Sequence, residues 1–224
     1  MAKNHKIITA ADNTFASPII QNPIDLGIDI VMHSATKYFG GHSDISAGAV
    51  ASSQEIMDKI WNLAKDFGGN LSDYTVWLLE RSMKTLSIRV KAQQHNAKRL
   101  AKFLEKHTAV KTVYYPGLKS NEYHNLAKIQ MNGFGAMLSF ELRGKYDAEA
   151  FLKALTLIKP SMSLAGVEST MILPSKTSHS LLSESDRATQ GITDQLIRFS
   201  VGIETKKDLI EDIEQAISAS NPKK

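Results

Sequence analysis

The sequence predicts an α/β fold, and three observations carry the prediction. Short apolar runs rich in β-branched residues recur along the chain, amphipathic stretches with helical spacing lie between them, and Gly, Pro and Asn clusters mark the joins. The length, 224 residues, allows one large domain or two small ones. Hydrophobic residues make up 42% and charged residues 22%, close to the globular average, which argues against disorder.

The first element expected is a buried strand over residues 5–12, HKIITAAD. A turn-rich segment with Pro18 and Pro23 follows, then a second strand over 28–33 that ends at Ser34. In open α/β sheets ligands sit outside the carboxyl ends of the strands, and Asp12 and residues 34–37 occupy those two ends. A third strand is expected over 48–51. Ser52 and Glu55 then have capping-box spacing, and Ile56, Ile60, Leu63 and Ala64 form a helical stripe that ends at the FGGN of residues 67–70. The next helical pattern runs from Ser72 or Asp73 to about His107, long enough to require a kink or break. Pro116 and Gly117 mark a further break. Beyond it the pattern predicts strands at 135–142, 161–164, 170–173 and 196–201. Helices are expected at 147–157, with Asp147 as N-cap, and at 206–218, and the NPKK tail is expected to fray.

Composition excludes several classes of function. Cysteine is absent, which removes disulfides, thiolate metal sites and a cysteine nucleophile. The opening MAKNHKIITAADNTF lacks the apolar core of a signal peptide, and no apolar run approaches the roughly eighteen residues of a membrane span, so a cytoplasmic protein is expected. His33, His42 and Asp44 have no clear ligand spacing, and no metal site is expected. His95 and His107 read as solvated helix residues. The basic residues 98–106 carry few aromatics and read as a solvated helix surface rather than a nucleic-acid face.

The segment around Lys37 is the most informative. The lysine stands among Ser34, Thr36 and the Gly40–Gly41 pair, just past an expected strand. Hydroxyls can hold a phosphate, glycines permit a sharp turn beside a ligand, and a lysine in a low-dielectric pocket can form a Schiff base. A surface lysine in a Ser/Thr-rich loop has the same composition. Asp12 likewise reads as a plain Asx turn, and Arg198, between Ile197 and Phe199, as an edge-strand charge.

The run D-I-x-x-x-S-A-T-K-Y-x-G-G-H-S-D over residues 29–44 resembles the signature of the Cys/Met-metabolism family of pyridoxal-phosphate enzymes, which contains the cystathionine synthases and lyases and methionine γ-lyase. ADNTFASP, GGNLSDYTVWLLERSMKTL, VYYPGL, GFGAMLSFEL, SLAGVES and ITDQLIRFSVGIE resemble further family segments, in the family's order. The resemblance implies an aspartate-aminotransferase-like (fold type I) architecture. Residues 1–95 would be the C-terminal part of the cofactor-binding domain, and residues 96–224 a small C-terminal α/β domain. The implied cofactor is pyridoxal 5'-phosphate. Lys37 matches the lysine that forms the Schiff base and moves protons at the substrate. Ser34 and Thr36 match the phosphate-binding hydroxyls. Asp12 matches the partner of the pyridinium nitrogen, and Thr14 a residue packed near the ring. Arg198 matches the clamp on the substrate α-carboxylate, with Ser163 beside it.

The resemblance covers roughly the last three-fifths of a family member. Segments that bear the ring-stacking tyrosine, the glycine-bearing phosphate loop and the cross-subunit residues have no match here. The expectation is therefore a carbon–sulfur lyase, leaning to cystathionine β-lyase, represented by its C-terminal part. Its substrate would be a sulfur-containing amino acid, and the completed protein a homo-oligomer without nucleic-acid or membrane partners. Cystathionine γ-synthase, cystathionine γ-lyase and methionine γ-lyase stand beside that lean, as do a non-catalytic remnant and one half of a split enzyme. Ala165 stands where the family commonly has Gly.

Overall fold

The computed structural model describes residues 2–221. The tail expected to fray lies, beyond Asn221, outside them. A 3-10 turn at Ala2–His5 leads to β1 (Ala10–Asp12), α1 (Ser17–Ile20), a second 3-10 turn at Pro23–Leu26, β2 (Ile30–Ser34) and β3 (Gly48–Ala51). β1 and β2 run parallel with Asp12 opposite Met32, and β3 returns antiparallel with Gly48 opposite Ser34. The strand expected over residues 5–12 contracts to its last three residues. Lys6 turns the chain at φ +54, and the Thr9 N–H donates to the Asp29 carboxylate at 2.8 Å instead of to a strand.

Helix α2 (Gln54–Phe67) begins one residue later than the expected capping box, at Ser53, whose side chain makes no cap bond. Ser52 instead donates to the Asp29 carbonyl at 2.7 Å. Gly68 ends the helix in the left-handed conformation, φ +71, which its lack of a Cβ allows. None of the α2 residues is buried, and Trp61, Leu63 and Phe67 are exposed. Helix α3 (Asp73–Met83) is capped by Ser72, which accepts from the Thr75 N–H at 3.2 Å. The break expected in this long helical stretch falls at Lys84 and Thr85, and α4 (Leu86–Lys106) follows.

The remaining elements are β4 (Val110–Tyr114), α5 (His124–Gln130), β5 (Met137–Leu142), α6 (Ala148–Ala154), β6 (Lys159–Pro160), β7 (Thr170–Ile172), α7 (Glu184–Thr189), β8 (Leu196–Ser200) and α8 (Lys206–Ser220). They build a five-stranded sheet in the order β4-β5-β8-β7-β6, antiparallel except between β6 and β7. Alternation puts Leu138, Phe140 and Leu142 of β5 on one face with Ile197 and Phe199 of β8, all buried against α4, α6 and α8. Phe140 meets Phe151 of α6 edge to face, 6.1 Å between centroids. Each such ring contributes about 2–3 kcal/mol by leaving water. Asp147 caps α6 as expected, accepting from the Glu149 and Ala150 N–H groups.

Two expectations are corrected here. Residues 161–164 form no strand, because the Met162 and Ser163 carbonyls accept from Arg198 and not from a neighbouring strand. His107 is not a solvated helix residue. Its Nδ1 accepts from the Ala109 N–H at 3.0 Å, its Nε2 lies 3.2 Å from Glu214, and its ring packs on Phe103.

The helix α4 runs unbroken through residues 95 and 96 and packs along β4 and β5. It also hydrogen-bonds the turn that follows β2, so one rigid element spans both sheets.

Candidate active site

Because β1 and β2 are parallel, their carboxyl ends lie on the same side of the small sheet. Asp12 and Ser34 close those two ends. The Asp12 carboxylate accepts from the Thr14 N–H at 2.9 Å, an Asx-type turn. The buried Thr14 hydroxyl in turn accepts from the Ser34 N–H at 2.8 Å. One threonine thus ties the two strand ends together. Hydrogen bonds from Thr14, side chain first and then backbone, hold the Asp12 carboxyl below its usual value against a small opposing effect of burial, and His33 adds an attraction. His33 is pushed down, mainly by burial, with the Asp12 charge opposing the shift. Its ring stacks on Phe39 at 4.7 Å.

From Ser34 the chain turns tightly. The Lys37 N–H donates to the Ser34 carbonyl at 3.0 Å, and the Gly40 N–H to the Ala35 carbonyl at 2.8 Å. Lys37 is half-buried, and its amine has no hydrogen-bond or ion-pair partner among the described residues. The Thr36 hydroxyl is engaged with Ala47, accepting from its N–H at 2.9 Å and donating to its carbonyl at 3.3 Å. Of the residues singled out in the sequence, Asp12, Thr14, Ser34, Thr36 and Lys37 therefore cluster at one sheet end.

Arg198 and Ser163 form a second cluster. Arg198 lies on β8 between Ser139 and Ile172 of the neighbouring strands. Its Nη2 donates to the Met162 carbonyl at 2.9 Å and the Ser163 carbonyl at 3.1 Å. Its Nε is buried without a partner among the described residues, and burial lowers the guanidinium pKa from its ordinary value. Arg198 lines a cleft of about 540 Å³ with Phe15, Tyr114, His179 and Leu196. Phe15, next in sequence to Thr14, is the cleft's one lining residue from the β1–α1 connection. Ser163 contributes its backbone carbonyl, which also accepts from the Thr170 hydroxyl at 2.9 Å.

Sequence reading missed two buried residues of α4. Arg89 donates to the Tyr38 carbonyl at 2.8 Å and the Phe39 carbonyl at 3.2 Å, immediately after Lys37. Gln93, one turn further along, donates to the Gly166 carbonyl at 2.6 Å. The only local signal is a polar pair at i, i+4, which a solvated helix face shows equally. Among the described residues no group of three or more His, Asp or Glu side chains is placed to hold a metal ion, and no helix is long and apolar enough to cross a membrane.

The fold, shared with solved cystathionine lyases and synthases, and the family match place the chain among the pyridoxal-phosphate-dependent enzymes. It belongs to the family described as Cys/Met metabolism PLP-dependent enzymes, whose model matches residues 1–218. Cystathionine beta-lyase of Lactococcus lactis is 45% identical over 218 residues, which are 97% of this chain and 57% of that protein. Cystathionine gamma-lyase of Bacillus subtilis is also 45% identical, over 97% of this chain and 58% of that protein. Among solved structures, cystathionine gamma-lyase of Lactobacillus plantarum, complexed with L-serine, superposes with a TM-score of 0.95 at 42% identity, covering 98% of this chain and 58% of its own. The chain thus spans a little under three-fifths of the length of these relatives.

Proposed function

We propose that this chain carries the lysine, the pyridinium partner and the carboxylate clamp of a carbon–sulfur lyase of sulfur amino-acid metabolism, leaning to cystathionine β-lyase. The convergence of Asp12 and Lys37 at the carboxyl ends of two parallel strands carries the reading. The β- and γ-lyase relatives match at the same 45%, so the choice between β- and γ-elimination rests with product analysis. The division into a cofactor-binding part, 1–95, and a small domain, 96–224, belongs to this proposal, as do a cytoplasmic location and homo-oligomeric assembly. Exposed Trp61, Phe67 and Trp77 on α2 and α3 support a covered face in the assembled protein.

The residues present fit pyridoxal phosphate. Asp12 is held ionised, the Lys37 amine is unengaged among the described residues, and the Arg198 Nε is a buried donor without an acceptor. When bound, the cofactor supplies a carbonyl carbon for an amine and a ring that withdraws electrons from the substrate Cα. Lys37 would hold the cofactor through that carbon and, once the substrate amine has taken its place there, its freed amine would take and return the proton at Cα. The carboxylate of Asp12 would accept from the ring N–H and so keep the nitrogen protonated. The hydroxyls of Ser34 and Thr36 would hold the phosphate; the long 3.3 Å donation from Thr36 to Ala47 leaves its hydrogen free to swing to a stronger acceptor. Thr14 would pack beside the ring. Arg198, whose aim is fixed by the Met162 and Ser163 carbonyls, would grip the substrate α-carboxylate.

Incubation with pyridoxal phosphate, borohydride reduction and peptide mapping tests the assignment. Label on Lys37 is expected. Label on other lysines with none on Lys37 overturns it.

A further inference from the structure

We propose that Arg89 is a positioning residue for Lys37 and acts through the turn that follows the lysine. The inference rests on the reading of Lys37 given above. Arg89 is only 4% exposed, yet no carboxylate pairs with it among the described residues. A buried charge without a counter-ion opposes folding unless dipoles converge on it. Here they do. Nη1 donates to the Tyr38 carbonyl, Nη2 to the Phe39 and Ser82 carbonyls, and Nε to the Thr85 hydroxyl, at 2.8 to 3.2 Å.

The pattern is directional. Two of the three carbonyls belong to the first and second residues after Lys37, and the other two acceptors anchor the guanidinium to the α3–α4 junction. A planar fork can hold two successive carbonyls in fixed relation, which a lysine ammonium cannot do. The fit extends to Gly41. A Cβ there would lie 1.8 Å from the Arg89 Nη1, and the residue sits at φ +72. From inside, the turn is closed by the Gly41 N–H donating to the Lys37 carbonyl at 2.7 Å; from outside, Arg89 clamps it. The Gly41 carbonyl then accepts from the Val167 N–H at 2.9 Å, and Gln93 holds the adjacent Gly166. One helix thus sets the spacing between the lysine turn and the segment, residues 162–167, that seats Arg198.

Misplacement of a reacting group by about 1 Å lowers rates roughly a hundredfold, so a clamp of this kind matters to chemistry as well as to folding. The test compares Arg89→Lys with Asp212→Asn, which destabilises the large sheet far from the turn. Native-state hydrogen exchange at Gly40 and Gly41 is measured relative to the core amide of Phe140, together with the rate of borohydride-fixed labelling of Lys37. In Arg89→Lys the relative exchange is expected to rise about tenfold and Lys37 labelling to fall about tenfold, from the loss of charged hydrogen bonds. In Asp212→Asn relative exchange does not rise and Lys37 labelling stays at the parental value. Equal ratios in Arg89→Lys and parent, or equal changes in the two variants, overturn the proposal. Should Arg89→Lys not fold, Thr85→Val removes the Nε anchor, along with the Thr85 hydroxyl's own bond to the Ser82 carbonyl, and leaves the Arg89 bonds to Tyr38 and Phe39 in place; a rise of about threefold in relative exchange is expected, and no rise overturns the proposal. If Lys37 of the parent takes no label, the reading of the lysine fails, while the exchange ratios still decide whether Arg89 holds the turn.

Discussion

Replacing Asp212 with Asn probes the packing behind the carboxylate clamp. Asp212 is buried on α8. Its Oδ1 accepts from the Thr156 N–H at 2.8 Å, the Thr156 hydroxyl at 2.8 Å and the Gln215 amide at 3.0 Å. Its Oδ2 accepts from the Leu157 N–H at 3.1 Å and the Ile158 N–H at 2.9 Å. Burial by itself raises the carboxyl pKa; these bonds, led by those from Ile158 and Thr156, outweigh it and hold the group below 3.8. An asparagine keeps one oxygen. In its better orientation the new NH₂ faces the Leu157 and Ile158 N–H groups, two donors left without an acceptor. Each costs about 1–3 kcal/mol, so the expected loss is about 3 kcal/mol. For a chain of this size that lowers the Tm by about 10 °C. The sign with pH follows from the depressed pKa. The carboxylate's contribution is complete above 3.8 and is lost as pH falls through the lower folded-state value, so the gap between parent and variant closes in acid. Thermal or urea unfolding from neutral pH down to about pH 3, with m unchanged, is the assay. A loss under about 1 kcal/mol at neutral pH, or a gap that persists in acid, would refute the reasoning.

Arg198→Lys, in a form completed to the relatives' full length, is expected to raise KM for the amino-acid substrate by roughly tenfold to a hundredfold, because a two-point carboxylate contact is lost; unchanged KM and kcat reject the clamp. Ala165 sits at φ +65 and is fully buried, while Ala97 is fully buried inside α4. Ala97→Gly should cost about 2 kcal/mol from lost packing and helix propensity, and Ala165→Gly about 2 kcal/mol less, since relief of left-handed strain offsets the lost methyl. Equal urea midpoints for the two variants would show no strain at Ala165. The 224-residue chain by itself is expected to release little pyruvate or 2-oxobutyrate from cystathionine, and more once the family's N-terminal segment is added as a second polypeptide; family-like turnover by the chain alone contradicts this.

Some of this architecture is legible locally and some is not. The strand ends and the Asp147 cap follow from alternation and capping chemistry, which act within a few residues. The length of the helical stretch requires a break, but its place at Lys84 and Thr85 comes from the structure. Strand β4, with its short VKTVY, and helices α5 and α7, seven and six residues long, carry too few periods to stand out from loop sequence. The apolar stripe of α2 correctly signals a helix, but periodicity says nothing of what covers it, and among the described residues nothing buries it fully: Ile56, Ile60 and Ala64 are half-buried and Leu63 is exposed. At the site, Asp12 and Lys37 stand out because their neighbours in sequence are also their neighbours in space. Arg89 and Gln93 do not, because the acceptors that tie them to the site lie 50 to 73 residues away.

The small sheet that bears Lys37 has strands of three, five and four residues, and the helix after it buries none of its own. Such a unit opens at lower free energy than the five-stranded sheet with its continuous core. Ligand affinity is divided by the fraction of molecules in which the binding unit is closed. Any surface that packs on Trp61 and Phe67 of α2 therefore acts as an effector of cofactor affinity without touching the cofactor. Linkage makes the effect reciprocal: ligand that closes the sheet tightens that association by the same factor. The two titrations, partner with and without pyridoxal phosphate and cofactor with and without partner, should yield one coupling constant.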